Sequence, residues 1–302
     1  MRSFLAVLLF LAQQYALAQD AMPPADCPAL SNSSCRATPP NGKLRHGLVW
    51  TTSCGPVTMK STPDKFCREL AKCPSAGGFG HFLQAVTSNC TEKHFDGYFG
   101  LDGLTFGILD WTQDNLATVL QAYQRRNKDR FEQIFGTVRM PMNNGCIDAT
   151  WICESNKQGY LNCDPTFRAA FTKGLQESDF KMAQVDVAFD TYSKRIARYS
   201  SLALKSEYGN VAMAVVGNNL APRSECKPAA WKAACAGQAN ETDLVNCMLD
   251  QYVMHRCRGS RDGAAERRRV SEIKRVYSDK ESTPLIRASK TDVHSCAVKA
   301  ME

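Results

Sequence analysis

The sequence predicts an α+β fold, mostly helical, in which a small β-hairpin lobe faces a helical lobe and disulfides crosslink the chain. Three observations predict it. Residues 165–204 carry apolar side chains at helical spacing almost without interruption. Residues 95–109 are instead aromatic and glycine-punctuated, with two Asp-Gly steps, which is the chemistry of tight hairpin turns. Fourteen cysteines, an even number, follow a leader of export type.

Residues 1–18 read as that leader. Arg2 precedes an apolar run over 4–12, and Ala16-Leu17-Ala18 supplies a small-x-small site with cleavage expected after Ala18. The run is too short to span a bilayer and no later one is long enough, so a soluble chain without a membrane span is expected, secreted or periplasmic. An oxidising destination makes up to seven disulfides the expectation. No Cys-x2-Cys pair occurs and only five histidines are present, which argues against zinc. Nothing calls for a metal or an organic cofactor. The cysteines cluster as six, three and five, and local pairing is expected: Cys27 with Cys35, two bridges within 54–90, and one within 146–163.

The remaining elements follow in order. Residues 19–62, rich in Pro, Ser, Thr and Asn, read as an N-terminal arm pinned by disulfides, and 63–302 as one domain. Pro63-Asp64-Lys65-Phe66 opens a short helix that Ser75-Ala76-Gly77-Gly78 breaks. The next helix carries Phe82, Val86 and Cys90 on one stripe and ends near Glu92. A glycine-rich extended segment over 96–111 follows. Thr112 or Asp114 then caps a helix bearing Leu116, Val119, Leu120 and Tyr123. Residues 128–135 form another helix, and 141–163 a disulfide-bearing loop with Trp151. Helical pattern covers 165–204 with a break near Glu177-Ser178-Asp179, then 208–220, 229–236 and 242–252. A basic stretch over 256–275, containing Arg267-Arg268-Arg269, comes last. Asn32, Asn89 and Asn240 each begin a glycosylation tripeptide, relevant only in a eukaryotic host.

Two carboxylates stand out. Glu92 sits where an apolar helix unwinds; the dipole there and apolar neighbours both disfavour its ionised form, as a general acid requires. Asp102 lies ten positions on, in a turn before an apolar strand. Glycoside cleavage needs a proton donor for the leaving oxygen and a second carboxylate that attacks or deprotonates water. Asp102-Gly103 is also ordinary turn chemistry.

Residues 81–123 resemble the catalytic corner of lysozyme-superfamily glycosidases, specifically family 46 chitosanases and related phage-type endolysins. The matching residues are Glu92, Asp102-Gly103, Leu104-Thr105-Phe106-Gly107-Ile108-Leu109-Asp110-Trp111, and the helix over 115–123. A fainter likeness runs through Phe180-Lys181-Met182-Ala183-Gln184 to the Gly217-Asn218-Asn219 turn. The resemblance implies a lysozyme-like two-lobed fold with Glu92 as proton donor, Asp102 as the base for inversion and Thr105 as the hydroxyl that positions water. The Asp-to-Thr interval is two residues shorter than in the chitosanases, which leaves Asp96 as a rival base. Tyr98, Phe106 and Trp111 are candidate stacking platforms for sugar rings, and Asn218 a further substrate contact.

Once Arg2 leaves with the leader, 36 Lys and Arg face 30 Asp and Glu. That excess suits anionic cell-wall glycan rather than cationic chitosan or, in an exported chain, nucleic acid. The expected protein is therefore a monomeric, secreted glycoside hydrolase acting on peptidoglycan, of muramidase type. A chitosanase, a lytic transglycosylase needing only the Glu, and an inactive wall-binding or toxin-like protein are the alternatives.

Overall fold

A computed structural model describes residues 57–58, 65–87, 95, 97–100, 103–109, 111, 113–138, 140–143, 146–148, 151–152, 161, 164–217, 220–260, 262–278 and 283–302. Helices α1 (Phe66–Ala71) and α2 (Gly78–Val86) lead to a hairpin of β2 (Gly97–Gly100) and β3 (Gly103–Phe106). Helices α3 (Gln113–Arg126) and α4 (Lys128–Phe135) follow, then a short pair of β4 (Met142–Asn143) and β5 (Cys146–Ile147). The rest is helical: α5 (Pro165–Gly174), α6 (Ser178–Arg198), α7 (Glu207–Val216), α8 (Pro228–Ala234), α9 (Glu241–Met254), α10 (Ala264–Tyr277) and α11 (Lys290–Met301). The chain is thus mostly helical, with little strand and with disulfides. The leader, most of the arm, and the expected Cys27–Cys35 pair lie outside the described residues.

Helix α6 is the axis of the assembly. Its 21 residues contain no glycine or proline, and at 1.5 Å per residue they span about 31 Å. Apolar side chains lie on more than one of its faces, from Phe180 and Val185 to Phe189 and Tyr192, all buried. A helix apolar on several sides must be enclosed, and α6 packs against α2, α3, α7 and α11. Phe106, Phe171, Phe180 and Tyr123 meet along it with ring centroids 5.0 to 5.9 Å apart. Those separations suit edge-to-face and offset contacts.

Side chains cap the N-termini of five helices. The Asn127 side chain accepts from the Arg130 N–H and starts α4; the Asp164 carboxylate accepts from the Thr166 and Phe167 N–H groups ahead of Pro165 at the start of α5. Ser206 caps α7, Asn240 caps α9, and Ser289 with Asp292 forms a reciprocal capping box on α11. Arg130 ties α4 to the turn between α5 and α6 by a two-pronged pair with Glu177, at 2.6 and 2.9 Å.

Several boundaries differ from expectation. Helix α2 ends at Val86, with the Thr87 N–H as its C-cap donating to the Leu83 carbonyl, rather than near Glu92 as expected; Glu92 itself lies outside the described residues. Strand β1 (Val57–Thr58) pairs antiparallel with β2, so the sheet draws an edge from residues assigned to the arm. Helix α7 stops at Val216, with the Gly217 N–H as its C-cap donating to the Met213 carbonyl, and a Cβ on Gly217 would lie 2.3 Å from the Tyr199 side chain. Helix α11 lies where the sequence pattern predicts no element.

Cystine pairing is local in the tail and long-range at Cys73, and the expected bridge within 146–163 lies partly outside the described residues. Cys226–Cys257 and Cys235–Cys247 staple α8 to α9 and its end, at separations of 31 and 12. Cys73 instead pairs with Cys296, 223 positions away, and ties the chain beside α1 to α11. Two bridges within 54–90 are thereby excluded, since only Cys54, Cys67 and Cys90 remain there. Cys67 and Cys146 are also disulfide-bonded, to partners outside the described residues. In the chain-entropy picture, a closure as long as that of Cys73–Cys296 disfavours the unfolded chain by up to about 5 kcal/mol.

Candidate active site

The corner between α2 and α3 is assembled from backbone and one buried amide. Phe95 is buried against Phe66, with ring centroids 4.7 Å apart. Its carbonyl accepts a hydrogen bond from Gln184 Nε2 on α6 at 3.0 Å. Strands β2 and β3 then pair in a register that sets Gly97 opposite Phe106, Tyr98 opposite Thr105, Phe99 opposite Leu104 and Gly100 opposite Gly103. This leaves positions 101 and 102 between the strands and places Gly103 within β3, one position away from the Asp102-Gly103 turn that the sequence predicts.

A second reversal follows at once. Phe106 and Trp111 exchange backbone hydrogen bonds at 3.1 and 2.7 Å. Gly107 begins the reversal with φ +75°, where a side chain is strained. A Cβ there would also lie 2.3 Å from Gln184 Oε1 and 2.6 Å from a Trp111 ring carbon. Glycine is required on both grounds. Gln184 is fully buried; its amide NH2 holds Phe95, while its Oε1 is buried with no hydrogen-bond partner. An orphaned buried acceptor costs about 1–3 kcal/mol, so this corner is built at some expense in stability.

The candidate residues fall as follows. Glu92, Asp96, Asp102 and Asn218 lie outside the described residues. Tyr98 and Thr105 are cross-strand neighbours on β2 and β3. Phe106 and Trp111 are 1% and 3% exposed. Their rings are 5.8 Å apart, and Phe106 stacks on Phe180 at 5.9 Å. Neither ring offers a face to a sugar; strand alternation turns Phe106 into the aromatic core, and the Phe106–Trp111 bridge brings Trp111 in with it.

A cluster of titratable side chains lies on α2, α7 and α10. Glu207, at the start of α7 and 4% exposed, receives the Tyr277 hydroxyl at 3.0 Å and faces His81 Nδ1 at 2.6 Å. Burial, then the Glu207 charge, pushes the Tyr277 phenol well above its ordinary range, and the same two causes raise that of Tyr192. Gly78 lets α2 approach this cluster, since a Cβ there would sit 2.8 Å from the Tyr192 hydroxyl. Sequence reading missed the cluster because His81 and Glu207 are 126 positions apart and neither belongs to a local motif. It anchors the helix that leads into the corner.

A cavity of about 360 Å³ on α3, α6 and α11 includes Arg125, Lys194, Lys290, Asp186 and Asp190 in its lining. Its acids already serve structure. Asp186 pairs with Arg126 at 3.3 Å, Lys290 at 3.6 Å and His294, and Asp190 pairs with Lys290 at 3.7 Å. Among the described residues no group of three or more His, Cys, Asp or Glu side chains is placed to hold a metal ion, and no helix is long and apolar enough to cross a membrane. Comparison with protein-family models, curated proteins and solved structures finds no match to this chain.

Proposed function

We propose that the protein is an exported glycoside hydrolase of lysozyme-like, two-lobed architecture that cleaves a β-1,4-linked amino-sugar polymer, peptidoglycan before chitosan. The observation that carries the reading is the order at the corner: helix α2, the two-residue-turn hairpin β2–β3, the Gly107 reversal and helix α3. The motif residues Leu104 to Trp111 span the second strand and that reversal, and Gln184 holds the assembly to α6. This order of elements supports the resemblance to family 46 chitosanases and phage-type endolysins, which rests on the motif residues themselves.

In this frame Glu92 gives its proton to the bridging oxygen. Asp102, or Asp96 as the rival base, draws a proton from water on the opposite face of the ring, and Thr105 orients that water. The positive charge excess supports an anionic wall polymer. Purified protein should release reducing ends from peptidoglycan, and more slowly from chitosan. Sedimentation with cell-wall sacculi but no released fragments would overturn the hydrolase and leave a wall-binding protein. Anhydro-sugar products would replace hydrolysis by transglycosylation.

A further inference from the structure

The charge of this chain is concentrated in one place. Residues 256–275 hold eight Lys and Arg against three Asp and Glu, a surplus of five within a chain whose net charge is +7. Of the three acids, Glu266 is fully buried. Its carboxylate accepts from the Arg258 N–H at 2.8 Å, the Ser260 N–H at 3.2 Å and the Ser260 hydroxyl. Turned inward, it neutralises nothing on the outer face of α10. Glu272 pairs with Arg275 one turn on, and Asp262 belongs to the turn before the helix.

Beside this face runs an open groove of about 800 Å³ between α9 and α10. Val253, Met254 and Val270 supply its apolar side, Arg267, Lys274 and Arg275 its cations, and Asp250 its one acid. Met254 is 60% exposed, the highest value among the large exposed apolar side chains of the described residues. A soluble polyanion is recognised by cations alone and gains nothing from a bare methionine. A lipid surface uses both: basic side chains meet anionic headgroups while an apolar side chain enters the acyl boundary.

We infer that the α9–α10 face docks on the surface of an anionic phospholipid bilayer, with Arg267 and Lys274 on the headgroups and Met254 entering among the chains. This is independent of the glycosidase reading.

The test is co-sedimentation of the purified protein with vesicles of equimolar phosphatidylcholine and phosphatidylglycerol, and with phosphatidylcholine alone. The protein binds the mixed vesicles and not the neutral ones, and raised salt releases it. Arg267→Glu with Lys274→Glu reverses two surface charges and lowers the apparent affinity about tenfold or more, since each base near an anionic surface contributes severalfold. Met254→Ser lowers it severalfold, and Lys128→Glu, an exposed base on distant α4, leaves it unchanged. All four positions are exposed, and equal unfolding temperatures confirm that the variants fold. Absence of binding to the mixed vesicles, or equal loss in the Lys128→Glu control, overturns the assignment. So does full competition by soluble polyphosphate with Met254→Ser behaving as wild type, which would give the face to a polyanion.

Discussion

Gln184 and Glu207 are both buried polar side chains on neighbouring core helices, and the fold provides for them in opposite ways. Around Glu207 the accounting closes: Tyr277 donates to its carboxylate, His81 faces it at 2.6 Å, and Ser206 caps the helix it begins. Around Gln184 one half closes and the other does not, because Nε2 holds the Phe95 carbonyl and Oε1 has no partner. The satisfied cluster ties α2, α7 and α10 together. The unsatisfied one lies against the Gly107 reversal, at the corner where the candidate chemistry sits. Unmet polar groups in native structures mark either strain or function; a second one, the Tyr123 hydroxyl, lies in the aromatic core, and under the proposed function the contrast is that of a scaffold with a site.

The contrast can be broken experimentally, and the largest expected effect is on the scaffold side. Glu207→Ala removes a partner from the buried Tyr277 hydroxyl and from the half-buried His81 and opens a small void, and should cost about 3 kcal/mol in urea unfolding. A loss below about 1 kcal/mol would show that the cluster is not an anchor. Gly107→Ala comes next. It adds a Cβ at positive φ and drives it into Gln184 and Trp111, so a loss of about 2–3 kcal/mol is expected, with any turnover falling alongside.

Gln184→Leu sharpens the comparison further. The variant loses one hydrogen bond and one orphaned acceptor together, so stability should move by less than about 1 kcal/mol. Turnover should nevertheless fall if the amide positions the corner. Full turnover with lowered stability would make Gln184 a plain core residue.

The smallest effect is in acid. Burial works against the Glu241 carboxylate. The Ser206 hydroxyl and the backbone N–H groups of Lys205 and Ser206 outweigh it and hold its pKa below the ordinary carboxylate value. A folded-state pKa below the unfolded one lends stability that is present above the unfolded value and is lost as pH falls through the folded one. Glu241→Gln should therefore leave the acid limb of a stability–pH curve shallower and neutral stability somewhat lower. An unchanged acid limb would contradict this.

The hairpin was legible because its signals are local, glycines on both sides and aromatics between, although Gly103 pairs within β3 rather than forming the turn. Helix α4 was legible to the residue for the same reason, since Asn127 is a strong cap and Phe131, Ile134 and Phe135 share one face. What escaped was long-range. Nothing near Cys73 announces Cys296, nothing near His81 announces Glu207, and β1 is two residues whose partners lie some forty positions on. The aromatic candidates at Phe106 and Trp111 failed because strand alternation says that half of such residues face inward without saying which half. The end of α2 was misplaced by letting Cys90 extend a stripe that Thr87 closes.

The most direct measurement is reducing-end release from peptidoglycan by the wild-type protein and by Glu92→Gln, with the unfolding temperature of each recorded alongside. A glycosidase whose proton donor is Glu92 should lose activity by a factor of about a hundred or more, while the isosteric change leaves the unfolding temperature where it was. Undiminished release by Glu92→Gln, or no release by the wild-type protein, would contradict it.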